Sequence, residues 1–121
     1  MERVAFEKIV RDVTDSLPKE FAQQMENVGL VVEVWPTIEQ QKQLRLRSNL
    51  LLFGLYQGVP KTKRGIYYSA LPDKITIFAG PILSVAKDLE DAKRIIRSTV
   101  LHEIGHHFGM TEDQIRKAEQ K

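Results

Sequence analysis

"DLEDAKRIIRSTVLHEIGHHFGMTED", residues 88–113, carries all three histidines of the chain and governs how the rest is read. Leu89, Ala92, Ile96 and Val100 recur at three- and four-residue intervals, and between Asp88 and Phe108 there is no proline and no glycine except Gly105. That spacing predicts a long amphipathic helix from Asp88 to Phe108. The histidine-rich turn falls at its C-terminal end.

At about 100° per residue, His102 and His106 differ by only some 40°, so both imidazoles project from one side of the helix, one turn apart. Two nitrogens so placed can share a metal ion. Glu103 lies roughly 60° from His106 on the same wheel, from where a carboxylate can reach a water on that metal. His102 and His106 sit at the border between the apolar stripe and the charged side carrying Glu90, Arg94 and Arg97. A half-buried histidine pair there costs desolvation unless it is coordinated or hydrogen-bonded. His107 points within about 20° of Leu89 and Val100, which predicts a core histidine held by a hydrogen bond.

A catalytic zinc takes three protein ligands and leaves a fourth position for water. Fifteen residues follow His106, so the third ligand is expected close by. Gly109 can adopt the left-handed conformation that ends a helix and turns the chain back towards the histidines. Glu112, three residues further on, is then the best placed oxygen ligand, with Asp113 next. Thr111 is also placed to cap a last short helix, "TEDQIRKAEQ", with the two acids in its first turn.

Composition narrows the chemistry. The 121 residues are 42% hydrophobic and 28% charged, as expected of one folded domain spanning residues 1–121. Eighteen basic against sixteen acidic residues leave no electrostatic footprint for nucleic acid. The one basic cluster, "PKTKRG" at 60–65, reads as a solvated loop. With no cysteine, any metal must be held by imidazole and carboxylate. No window approaches the roughly 18 apolar residues of a membrane span, and the opening "MERVAFEKIV" has no uninterrupted apolar core. The expectation is a cytoplasmic protein.

Upstream, Phe6, Ile9, Val10, Val13 and Leu17 predict an amphipathic helix over residues 3–16. Pro18 suits the first turn of a second helix ending near Gly29, and "LVVEVW", 30–35, reads as a strand. "TIEQQKQLRLR", 37–47, reads as a polar helix capped by Thr37, and "NLLLFGLYQGVP", 49–60, as a buried strand. "KITIF", 74–78, alternates Ile75 and Ile77 with polar neighbours between "LPD" and "AGP", which predicts a strand with one wet face at a sheet edge. The fold class is α+β.

"HEIGHHFGMTE" resembles the extended zinc motif HExxHxxGxxH/D of the metzincin peptidases, with Glu112 in the third-ligand place. It is most similar to a small bacterial family of zincin-like metallopeptidases, whose members carry "HHFG" followed by a nearby acid. "GLYQGVP", "RG" and "LPDKITIFAGPI" extend the resemblance over roughly residues 50 to 115. It implies a minimal zincin-like fold: a small mixed sheet, an edge strand over the cleft, and an active-site helix carrying HExxH. Two departures from true metzincins stand out: Glu112 replaces histidine, and Met110 comes too early for a methionine turn.

The leading expectation is a zinc-dependent metallopeptidase. His102, His106 and Glu112 bind the metal, Glu103 acts as general base, and a peptide or protein substrate pairs antiparallel with "KITIF". Tyr56, Tyr67 and Tyr68 are equal candidates to stabilise the oxyanion, although tyrosines near strands are more often core residues. The rival reading is a non-enzymatic, zinc-bound peptide-binding module; Glu103 speaks against it, because a closed structural site gains nothing from a neighbouring base. A nucleic-acid hydrolase ranks last, for want of a two-metal acidic cluster and a basic docking face.

Overall fold

The computed structural model describes residues 1–45, 52–58 and 73–120. Its elements run α1 (Arg3–Asp15), α2 (Lys19–Met25), β1 (Val28–Glu33), α3 (Ile38–Arg45), β2 (Gly54–Gln57), β3 (Asp73–Phe78), α4 (Ala79–Val85), α5 (Leu89–His107) and α6 (Glu112–Glu119). Helices and a small mixed sheet make it an α+β fold, as expected. The basic cluster at 60–65, Tyr67 and Tyr68 lie outside the described residues.

The sheet order is β1-β3-β2, with β1 parallel and β2 antiparallel to β3. This corrects the placing of "KITIF", which is the central strand rather than an edge. Its wet face is also absent: Ile75, Thr76, Ile77 and Phe78 are all fully buried and only Lys74 is exposed. Ile75 and Ile77 join the main core, whereas Phe78 clusters with Leu52 and Leu55. Alternation in β3 therefore separates two apolar environments instead of core from water, which is why its polar-looking spacing misleads.

β1 begins earlier than "LVVEVW" suggests. Gly29 does not end α2; it sits inside β1 opposite Lys74, because the ladder with β3 supplies partners for its backbone groups. Short α4 is unforeseen, since "AGP" reads as a strand boundary. Pro81 is tolerated there because the first turn of a helix has no use for its missing N–H.

Phe6, Val10 and Val13 of α1, Phe21 of α2 and Ile96, Val100 and Ile104 of α5 close over Ile75 and Ile77. Thr37 caps α3 reciprocally: its Oγ1 accepts from the Gln40 N–H at 3.1 Å, and its own N–H donates to Gln40 Oε1 at 2.8 Å. Asp88 caps α5 by accepting from the Asp91 N–H at 2.8 Å. Thus α5 is anchored at its start and packed along its length, and its last turn projects beyond the core.

Candidate metal centre

Where α5 ends, the Gly109 N–H bonds the His106 carbonyl at 3.2 Å and the Met110 N–H bonds the Gly105 carbonyl at 2.8 Å. This crossed pair is a Schellman ending, and it places Gly109 at φ 74°, the left-handed region where a side chain is strained. The chain therefore reverses at Gly109. Thr111 then starts α6 with a capping box shared with Gln114.

The reversal is close because Gly105 has no side chain. A Cβ there would stand 2.6 Å from both Cγ1 and Cδ1 of Ile115, a fully buried residue of α6. Bare backbone on α5 thus lets α6 approach, and α6 carries Glu112 back to the histidines. Glu112 Oε1 lies 2.7 Å from His106 Nε2, and Oε2 lies 3.9 Å from His102 Nε2. The two imidazole centroids are 5.8 Å apart. The hydrogen bond from His106 holds the Glu112 carboxyl below its ordinary pKa, with the charges of His106, His102 and Arg116 acting in the same direction and desolvation opposing them. Asp113 points elsewhere, accepting from Arg116 at 3.1 Å.

His102 is half-buried and His106 more exposed than a border position suggests, at 34% and 53% of the side chain. The Nδ1 of His102 lies 2.8 Å from the Ser98 carbonyl, which can only accept, so this nitrogen carries the proton. Nε2 is the ring nitrogen on the side of Glu112. Among the described residues no group of three or more His, Asp and Glu side chains is arranged to hold a metal ion; Glu112 instead closes directly on His106. The donor types nevertheless suit zinc, two imidazoles and one carboxylate, and the proton on Nδ1 of His102 keeps Nε2 for a metal. At His106 the proton on Nε2 would give way on binding, as ligand groups must be deprotonated.

Glu103 is turned towards β2. Its Oε1 accepts from the backbone N–H of Tyr56 on β2 at 2.9 Å, so the helix carboxylate is tied to the sheet. Tyr56, Glu103, His106 and His107 line a cleft of about 480 Å³. A larger hollow of about 680 Å³ lies between α1, α5 and α6 and is lined by Lys93, Arg94, Arg97 and Arg116. Of the two, the smaller cleft is the one that holds Glu103 and His106.

His107 is a correction. It is 38% exposed rather than in the core, and it stacks on the Tyr56 ring with centroids 3.8 Å apart. Its angular position around the helix matches the buried Val100, but it lies in the final turn, past the elements that cover Val100. The usable signal was its spacing from Glu103, four residues, which places both on one face. Tyr56 itself is buried in the core. Its hydroxyl donates to Asp73 Oδ2 at 2.8 Å, which directs the proton needed by an oxyanion towards a carboxylate.

With this geometry in view, the match to known proteins is direct. The zincin-like metallopeptidase family matches residues 25–121. The chain belongs to that family. The match covers both strands of the β1–β3 pair, the histidine helix and α6, so the whole site lies inside it. A solved structure of a conserved hypothetical protein from Thermo thermophilus superposes with a TM-score of 0.59 at 23% identity, covering 89% of this chain and 94% of that one. At that identity the likeness is one of fold. No curated protein sequence matches. Among the described residues no helix is long and apolar enough to cross a membrane.

Proposed function

We propose that the protein is a zinc-dependent metallopeptidase in which His102, His106 and Glu112 hold the metal and Glu103 is the general base. The observation that carries this reading is the return of Glu112 to within 2.7 Å of His106 Nε2, with Glu103 turned into the cleft from the same helical turn. The spacing from His102 to Glu112, with Gly109 as the turn, supports it, and so does membership of a metallopeptidase family. Zinc held by these three side chains would supply Lewis acidity to a water and to the scissile carbonyl, with a fourth position left open.

The remaining work falls to the chain. Glu103 takes the proton of the attacking water and delivers it to the leaving amine as the C–N bond breaks. The Tyr56 N–H holds that carboxylate in place, which limits the reorganisation needed for proton transfer. A peptide or protein substrate lies in the cleft against Tyr56 and His107. It does not pair with β3, both edges of which are filled.

The test is elemental analysis of the purified protein joined to a peptide-library digest. One zinc per chain, with cleavage lost in Glu103→Gln but zinc retained, is the expected result. A zinc-free protein overturns the proposal, and a zinc-loaded parent that cleaves no library peptide leaves a peptide-binding module instead.

A further inference from the structure

Helix α6 reaches His102 twice. Its first turn presents Glu112 to Nε2, and its last turn presents Glu119, whose Oε1 lies 3.0 Å from Nδ1 of the same ring. Ser98 joins them: its Oγ donates to Glu119 Oε1 at 3.3 Å, and its carbonyl lies 2.8 Å from Nδ1. The end of α6 is held by Arg97, which donates to the Glu119 and Ala118 carbonyls at 2.9 and 3.0 Å. The Glu119 side chain takes no part in that clamp, which uses main-chain oxygens, and is left to face His102. It is 30% exposed, so its charge is only partly screened where it meets the ring.

We propose that Glu119 is a positioning residue that makes His102 a stronger metal ligand. A carboxylate beside the protonated nitrogen of an imidazole fixes the tautomer and ring orientation, and its negative charge raises the donor strength of the opposite nitrogen. The Ser98 carbonyl alone fixes the tautomer; Glu119 adds the charge. Partners of this kind change metal affinity by about 10- to 100-fold when removed. This inference rests on the zinc reading above.

Glu119→Gln keeps the shape and the Arg97 clamp while removing the charge, so it isolates the effect from helix docking. Zinc affinity is measured by competition with a chromogenic chelator, and the visible absorption of the Co²⁺-loaded protein reports ligand strength apart from activity. Glu119→Gln is expected to weaken zinc binding about 10-fold or more and to shift the Co²⁺ bands. Glu119→Gln with affinity within about twofold of the parent, or with superimposable Co²⁺ bands, overturns the role of Glu119 and leaves the metal site standing. A parent that binds neither zinc nor Co²⁺ overturns both.

Discussion

Ile115 of α6 packs against the bare backbone of Gly105 on α5, filling the place where a Cβ would stand 2.6 Å from its Cγ1 and Cδ1. Glu112 and Ile115 lie three residues apart on α6, so the contact that seats Ile115 also sets how near Glu112 comes to His106. A packing contact and a candidate ligand thereby share one short helix.

Gly105→Ala is accordingly expected to disturb metal binding without touching a ligand. The alanine gains about 1 kcal/mol in helix propensity, against an overpacking cost of about 1–3 kcal/mol where buried Ile115 has little room to move. The net expectation is a loss of roughly 1 kcal/mol in stability, read by urea denaturation, with weaker zinc binding in the folded protein. Unchanged affinity would show that α6 reaches the histidines without the close approach.

The third ligand is tested by three substitutions. Glu112→Ala removes an oxygen donor, and Gly109→Val opposes the φ of 74° on which the reversal depends. Both should weaken zinc binding in a competition titration, whereas Asp113→Ala, which loses an exposed contact to Arg116, should bind as the parent does. Loss of metal from Asp113→Ala with retention in Glu112→Ala would move the ligand by one position.

Glu103→Gln should leave zinc content unchanged and lower peptide hydrolysis by about 10²–10⁴-fold, the usual worth of a general base. The amide can no longer accept the proton from water, although its oxygen can still take the Tyr56 N–H. Elemental analysis beside initial-rate measurement separates the two effects, and hydrolysis at the parental rate would remove Glu103 from the mechanism.

At the other end of α5, Asp91 accepts from the Lys87 N–H at 3.0 Å and from Arg94 at 2.7 Å. The Lys87 backbone bond, then the Arg94 side chain, hold its carboxyl below the ordinary value of 3.8. Because the folded pKa is depressed, the stabilising contribution is complete above 3.8 and disappears as pH falls through the folded value. Asp91→Asn should therefore flatten the acid limb of a plot of Tm against pH while changing its slope little near neutrality. An acid limb of unaltered slope would show that Asp91 contributes nothing there.

Much of the site was legible in the chain. Helical periodicity places His102 and His106 together whatever surrounds them, because the angle between positions four apart is a property of the helix itself. The Schellman turn at Gly109 and the cap at Thr111 are equally local: one needs a residue without a Cβ, the other a hydroxyl three residues before an amide N–H. These determined that the chain returns towards the histidines just after the helix.

The tertiary structure alone decided what lies opposite. "KITIF" has the alternation of an edge strand, yet β1 and β2 pair with both its edges, and strand order depends on contacts between segments distant in sequence. The same non-local packing brings Tyr56 under His107 and its N–H to Glu103, forty-seven residues away. Periodicity gave the direction of His107 around the helix but not how far along the axis the core extends. Local geometry is written residue by residue, whereas the neighbours of a face are set only when the whole sheet and its helices have packed.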